Sequence, residues 1–176
     1  MGLHAREVDP VARSWTIPST RSKTRRQQVI PLSPAAVAVL SEAFRGDGET
    51  EPKPITAWEG FAFPKPRDAS KSMRRGSFTQ AMKWIVQARK IDRATPHDLR
   101  RTVATRIASE RIGCAPHIVS AVLGHQQEGP AVTQTYNRYR YDKEKRHALE
   151  AWAALLDEIV NNKPRATNVT PLRGGA

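Results

Sequence analysis

Prolines and glycines divide this sequence into short segments, and that division limits the folds open to it. The chain has 13 prolines and 10 glycines among 176 residues, and it contains no internal repeat. Proline fixes φ and lacks a backbone donor, so it stands at strand edges, in turns or at the first position of a helix. The sequence therefore predicts short strands and helices of moderate length rather than one long regular element.

Two short runs rich in β-forming residues precede the first helix. They cover residues 13–18 and 27–32, and each ends at or next to a proline, Pro18 or Pro31. Two such runs around a basic polar turn predict a β-hairpin, with the prolines confined to edges or strand ends. Residues 46–76 hold four prolines and four glycines. We interpret them as a long loop, in which residues 60–64 are a candidate third strand of the same sheet.

Helix signals dominate the rest of the chain. The clearest start is Thr95-Pro96-His97-Asp98, which combines a capping residue, a proline at the first position and an acid at the third. Apolar spacing predicts a buried stripe of Leu99, Val103 and Ile107, with the helix ending at Gly113. Further helices are predicted over residues 34–44, 76–89, 118–123 and 142–160, with another short one after Gly129-Pro130.

The predicted fold class is mainly α (α+β), with five to seven helices around a small antiparallel sheet. Residues 1–160 form the predicted folded domain, and residues 161–176, which lack periodicity, are expected to be a disordered basic tail. The last helix has an apolar stripe that suits either its own core or docking on a neighbouring copy.

The charge balance points to a polyanionic partner. Lys+Arg number 29 against 17 Asp+Glu, a net charge of +12, and the basic residues form clusters along the whole chain. No apolar run reaches eighteen residues, no signal-peptide pattern is present, and the single cysteine, Cys114, excludes an intrachain disulfide. We therefore expect a soluble cytoplasmic, nucleoid-associated protein that binds double-stranded DNA, with no membrane partner. A merely solvated surface is the alternative for any single cluster.

Three polar motifs follow one another in the second half of the chain. His97 and Arg100 lie three residues apart at a helix start, where free backbone N–H groups favour an anion and a guanidinium can bind two phosphate oxygens. His125 follows Leu123-Gly124 at a helix end, and Tyr136 lies eleven residues further on. Each signal alone is weak, since a histidine at a helix start is more often structural and a tyrosine in a short helix is usually core.

In this order and spacing, the motifs resemble the catalytic signature of the tyrosine recombinase (phage integrase) family. The upstream hairpin and the segment from Asp142 to Arg146 are similar to prophage-type members, so the resemblance covers roughly residues 3 to 160. It implies a recombinase that breaks and rejoins DNA through a 3′-phosphotyrosine, without a metal or other cofactor. It also implies a possible role of the last helix in forming a homo-oligomer on DNA.

The resemblance also implies a role for each matching residue. Tyr136 is the nucleophile, Arg100 neutralises the non-bridging oxygens, and Lys23 on the hairpin turn protonates the departing 5′ oxygen. His97 and His125 assist proton movement and hold the phosphate. The predicted DNA-contacting residues come from the basic clusters: Arg21, Arg25, Arg26, Arg74, Arg75 and Arg101.

The sequence departs from the family at its start, and alternatives therefore remain. The family's Thr-Gly-x-Arg-x-x-Glu segment has no match here, and Arg6 is not a convincing substitute. Loss of one phosphate-binding arginine predicts a rate lower by about 10²–10³-fold. We thus expect weak or absent recombination by a truncated chain, and a non-catalytic DNA-binding remnant is the alternative.

Two further alternatives concern individual residues. Tyr139 and Tyr141 compete with Tyr136 for the nucleophile role, although only Tyr136 has a threonine three residues before it and an arginine two after. A metal hydrolase using His97, His117 and His125 is the other alternative, but no spacing typical of metal ligands supports it.

Overall fold

The computed structural model describes residues 2–22, 25–46, 48–125 and 139–162. The strands in these ranges are β1 (Val8–Asp9), β2 (Ser14–Ile17), β3 (Gln28–Pro31), β4 (Pro64–Lys65) and β5 (Asp68–Ser72). The α-helices are α1 (Pro34–Ala43), α2 (Arg75–Arg89), α3 (Pro96–Ala108), α4 (Pro116–Leu123) and α5 (Asp142–Val160). The predicted class, mainly helical with a small antiparallel sheet, is confirmed. The short helix predicted after Pro130 and nearly all of the predicted tail lie outside the described residues.

The predicted hairpin is present and forms most of a three-stranded antiparallel sheet in the order β1-β2-β3. Trp15 pairs with Ile30, and Ile17 pairs with Gln28 at the end of the hairpin next to the turn. Strand β1, which pairs Val8 with Trp15, was not predicted. Its two residues are too few to show the alternation that marks a strand.

The interpretation of residues 46–76 as a loop is wrong in part. Strands β4 and β5 form a separate two-stranded antiparallel sheet, and residues Ile55–Ala57 form a 3₁₀ turn. The candidate third strand does not join the hairpin sheet, because Phe61 makes only an isolated bridge with His4. Prolines on one side of a two-stranded ribbon cost little, since no second neighbour needs their missing N–H groups.

Helix starts follow the sequence signals, whereas the interior of α3 differs from the prediction. Ser33 accepts a hydrogen bond from the Ala36 N–H at 3.2 Å and caps α1. On α3, Ile107 is fully buried and Val103 is half-buried, but Leu99 is 49% exposed. The prediction of a buried stripe is therefore wrong for Leu99, because apolar contact begins one turn later at Val103. The helix also ends at Ala108, before Gly113.

Two apolar clusters hold the elements together. The first lies between the hairpin sheet, α1 and the segment after it, and includes Leu3, Leu32, Phe44, Trp58 and Ala62. The rings of Phe44 and Trp58 stack with centroids 4.6 Å apart, and the Trp58 indole N–H donates to the Lys53 carbonyl at 2.9 Å. Burial of this aromatic pair fixes the loop after α1 against the sheet.

The second cluster forms around α5, which packs against α1, β3, α3 and α4. Ile107, Ile118, Ala148 and Leu155 are buried there. Of the two roles predicted for the last helix, this part of the structure shows packing on its own core. Ile159 and Val160 at the end of α5 remain exposed.

An apolar groove of about 560 Å³ runs between α1, the hairpin sheet and α5. Its lining residues include Trp15, Leu32, Val39, Trp152 and Leu156. Of the predicted catalytic residues, the three that the structure describes, His97, Arg100 and His125, do not line it. Within the described ranges, no helix has the length and apolar content needed to cross a bilayer.

Candidate active site at the junction of α3, α4 and the hairpin

The first turn of α3 presents two of the predicted catalytic side chains. His97 and Arg100 are both exposed and lie one turn apart. The turn is fixed by reciprocal bonds: the Asp98 N–H donates to Thr95 Oγ1 at 3.3 Å, and the Thr95 N–H donates to Asp98 Oδ2 at 2.9 Å. Hydrogen bonds from Thr95 lower the pKa of Asp98, and the nearby charges of Arg101 and His97 lower it further. The helix start is thus held by an ionised carboxylate.

Arg100 connects α3 to the end of α4. Its Nη2 donates to the carbonyl oxygen of Leu123, the last residue of α4. A carbonyl at a helix C-terminus has no partner within its own helix, so a guanidinium is a suitable donor to it. A guanidinium has five N–H donors. One contact to Leu123 therefore orients Arg100 and leaves other donors for a phosphate.

The glycine turn after α4 sets the position of His125. Gly124 has a φ of 64°, in the left-handed region that closes many helices, and the His125 N–H donates back to the Ser120 carbonyl at 3.0 Å. His125 therefore follows directly on the helix end that Arg100 contacts, and its side chain is exposed. The predicted placement of an imidazole just past a glycine turn is confirmed.

The hairpin reaches the same place through Gln28. A Cβ on Gly124 would overlap the side-chain amide of Gln28, so the first residue of β3 lies directly against the turn that carries His125. Lys23 lies in the connection between β2 and β3, five residues before Gln28, but it is outside the described residues. Tyr136 is outside them as well. The structure thus brings together Arg100, the Gly124 turn with His125, and the hairpin of Lys23.

The two competing tyrosines are described. The Tyr139 hydroxyl lies 3.0 Å and 3.2 Å from the two Glu144 carboxylate oxygens, and this hydrogen bond raises the pKa of Tyr139. The Tyr141 ring lies 4.8 Å from that of Tyr139 and 5.2 Å from that of His117. A phenol that donates to a carboxylate is a poorer source of phenolate.

The predicted DNA-contacting arginines fall into three groups. Arg25 and Arg26 are exposed on the hairpin connection, and Arg74 and Arg75 are exposed at the start of α2. Arg101 follows Arg100 on α3, where its side chain is 73% exposed and 3.7 Å from Asp98.

Arg21 differs from the other predicted DNA contacts. Its guanidinium donates to the Glu7 carboxylate and to the Gly2 carbonyl. Glu7 also accepts from the Trp15 indole N–H at 3.1 Å, so Arg21 joins the hairpin to the chain before β1.

The three histidines of the metal alternative do not form a cluster. In the described part of the chain, no group of three or more His, Cys, Asp or Glu side chains could hold a metal ion. His117 lies instead on α4 with its ring near Tyr141.

Two residues that make contacts between these elements, Gln28 and Lys145, were not identified from the sequence. Gln28 gave no signal, because a polar residue at a strand start is common. Lys145 did carry a signal in the sequence, because its spacing places it on an apolar helix face. It lies three residues before Ala148 and seven before Trp152. It is 6% exposed and donates to the Val29 carbonyl of β3 at 2.7 Å.

Comparison with known proteins gives one family match and two curated relatives. The profile of the phage integrase family matches residues 1–143. The chain is 27% identical over 167 residues to prophage integrase IntA of Escherichia coli K12, covering 95% of this chain and 37% of that protein. It is 28% identical over 145 residues to prophage integrase IntZ of the same strain, covering 82% of this chain and 32% of that protein. The chain thus spans about a third of the length of these relatives. No solved structure gave a significant match.

Proposed function

Because the chain belongs to the phage integrase family, we propose that it carries the catalytic machinery of a site-specific DNA recombinase. The reaction is transfer of a DNA strand onto tyrosine and back, by exchange of one phosphate ester for another. The observation that supports the proposal is the contact of Arg100 with the carbonyl of Leu123, two residues before His125, at a turn that Gln28 of the hairpin also contacts.

Tyr136 is the proposed nucleophile. Its phenol oxygen attacks the phosphorus, and an imidazole, His97 or His125, accepts the phenol proton. The bond from phosphorus to the 5′ oxygen breaks, and Lys23 gives its proton to that oxygen. The products are a 3′-phosphotyrosine and a free 5′-hydroxyl. The reverse reaction rejoins the strand without ATP, because the ester bond is conserved.

Arg100 contributes electrostatic stabilisation in this scheme. Charge develops on the non-bridging oxygens as the pentacoordinate phosphorus forms, and a fixed guanidinium stabilises that charge. Its bond to the Leu123 carbonyl holds the group in place before DNA binds, so little reorganisation is required.

The proposed substrate is double-stranded DNA, bound through cationic side chains around the site. Arg25, Arg26, Arg74, Arg75 and Arg101 are exposed and are the proposed phosphate contacts. The net charge of +12 supports this, since neutralised phosphates release counterions on binding. The proposed place of action is the bacterial cytoplasm, at the nucleoid. A homo-oligomer on DNA would use the exposed end of α5, Ile159 and Val160.

Covalent capture tests the proposal. Duplexes that bind the chain are selected from a random pool, nicked, and incubated with the wild type, Tyr136→Phe or Tyr139→Phe. We expect a denaturant-resistant protein–DNA band with the wild type and Tyr139→Phe and none with Tyr136→Phe. Binding without any adduct would favour the alternative, a non-catalytic DNA-binding remnant. We expect capture to be undiminished in excess chelator. This result would argue against the alternative of a metal hydrolase.

A further inference from the structure

Lys145 is a buried cation whose ammonium the proposed mechanism does not use. It lies in the second turn of α5, is 6% exposed, and donates from Nζ to the Val29 carbonyl of β3 at 2.7 Å. The same Nζ lies 2.7 Å from Oδ1 of Asp142. Burial of a lysine is costly unless its charge is paired and its donors are satisfied. Here the Asp142 carboxylate pairs the charge, and the Val29 carbonyl accepts a hydrogen bond from one of the three ammonium donors.

These bonds join α5 to the hairpin sheet. β3 is an edge strand of the three-stranded sheet, so a side chain can reach a carbonyl on its open side. The next residue of α5, Arg146, donates from Nη2 to the Ala12 carbonyl in the turn between β1 and β2 at 2.6 Å. Consecutive residues of one helix therefore bind two separate parts of the sheet. Two bonds at separate points hold the orientation of the sheet on α5, whereas a single bond would leave the sheet free to pivot.

The two joined elements are continuous with the segments of the proposed catalytic groups. Lys23 precedes Val29 by six residues, and Tyr136 precedes Lys145 by nine. Along the chain, Lys23 and Tyr136 are 113 positions apart. Through the Lys145–Val29 bond the path shortens to fifteen residues and one hydrogen bond. Gln28, next to Val29, also rests against the Gly124 turn.

We propose that Lys145 is a positioning residue for strand cleavage: it fixes the hairpin of Lys23 relative to the helix that follows Tyr136, and so governs protonation of the leaving 5′ oxygen. This inference rests on the proposed function. Lys145 acts through another side chain, since its own ammonium is enclosed by the Val29 carbonyl and the Asp142 carboxylate.

Lys145→Met removes the ammonium and keeps most of the side-chain volume. Lys143→Met is the matched control, because Lys143 lies on the same helix and is exposed. Two DNA substrates are compared at the scissile position mapped by adduct capture, one with the natural 5′ oxygen and one with sulfur in its place. A thiol has a reference pKa near 8.5, so a thiolate leaves without a proton donor.

The expected result is selective. Adduct formation by Lys145→Met falls at least about tenfold on the oxygen substrate and changes less than about twofold on the sulfur substrate, since sulfur removes the need for proton transfer. Lys143→Met behaves as the wild type on both. Lys145→Arg, which keeps a cationic donor, recovers part of the rate on the oxygen substrate. An equal loss on both substrates would overturn the proposal, because it would indicate damage to the nucleophile or to the fold.

Hydrogen exchange provides a readout that needs no activity. In Lys145→Met, amides of residues 14–31 should exchange about tenfold faster than in the wild type and in Lys143→Met, while those of residues 116–123 are unchanged. Unchanged exchange over residues 14–31 would show that Lys145 does not fix the hairpin sheet, whatever the activity of the variant. If Lys145→Met does not fold, Lys145→Arg is measured in both assays. If the wild type forms no adduct on either substrate, the proposed function and the role of Lys145 in it both fail. Hydrogen exchange then still shows whether Lys145 fixes the hairpin sheet.

Discussion

At the scale of single residues, Arg100 has one observed contact and one proposed role in this site. One Nη donates to the Leu123 carbonyl, which leaves the remaining donors of the guanidinium for a phosphate. A lysine could not do both with fixed geometry, because its ammonium is a single point of charge on a flexible stem. Orientation by the carbonyl is therefore part of what makes an arginine suitable at this position.

Arg100→Lys is expected to slow adduct formation by about 10-fold to 100-fold, since the phosphate would lose an oriented donor while the charge is kept. The measurement is single-turnover capture of nicked DNA at saturating protein. Arg101→Lys is the matched control, because Arg101 is the adjacent, largely exposed residue. Equal rates for both variants would show that the Leu123 contact has no catalytic consequence.

Asp98 gives the start of α3 a defined pH dependence. Hydrogen bonds from Thr95 lower its pKa in the folded state. A lowered folded pKa means that the stabilisation is fully present above the unfolded value of about 3.9 and is lost as pH falls through the folded pKa. We expect Asp98→Asn to lower the free energy of unfolding at pH 7 and to match the wild type at the lowest pH at which both fold. Urea titrations at several pH values measure this; a difference independent of pH would contradict it.

At the scale of elements, the end of α4 is where three parts of the fold meet. The left-handed turn at Gly124 ends the helix, exposes the carbonyl that Arg100 binds, and lies against Gln28 of β3. A side chain at this position would therefore disturb both the turn and the approach of the hairpin.

Gly124→Ala and Gly113→Ala separate these two effects. Both glycines have a positive φ, 64° and 70°, so each alanine should cost about 1–2 kcal/mol in unfolding free energy. A Cβ on Gly113 meets open space, whereas one on Gly124 overlaps the Gln28 amide. Gln28 can rotate away, so the stabilities should be similar, but only Gly124→Ala should lower adduct formation. A comparable loss of adduct in Gly113→Ala would refute the role of the Gln28 contact.

At the scale of the whole molecule, charge is expected to dominate DNA affinity. Seventeen acidic residues oppose 29 basic ones, and several of the basic ones are engaged within the protein, such as Arg111 with Glu158 and Arg21 with Glu7. The number of basic side chains available to DNA is therefore smaller than the 29 in the sequence.

Arg26→Gln should reduce the slope of log affinity against log salt by about 1, because one phosphate contact and its counterion release are lost. Arg111→Gln removes the same charge from a side chain already paired with Glu158 and should leave the slope unchanged. Fluorescence anisotropy of labelled duplex DNA between low and moderate salt measures both. Equal slopes in the two variants would show that Arg26 makes no such contact.

Local features of this protein were determined by the sequence itself. The hairpin, the Ser33 and Thr95 caps and the Gly124 turn depend on residues a few positions apart, whose preferences act in any context. The order of the motifs was likewise sufficient to indicate the family. The three-stranded sheet and Leu99 were misjudged, because pairing and burial depend on distant neighbours.

Only the tertiary structure decided how the site is assembled. Three contacts join residues that are 23 to 116 positions apart. They are the hydrogen bond from Arg100 to Leu123, the packing of Gln28 against Gly124, and the hydrogen bond from Lys145 to Val29. Sequence spacing carries no information about such contacts, since loop closure can bring many pairs together at similar entropic cost. The packing of α5 against the sheet and α3 selects one arrangement among these pairs.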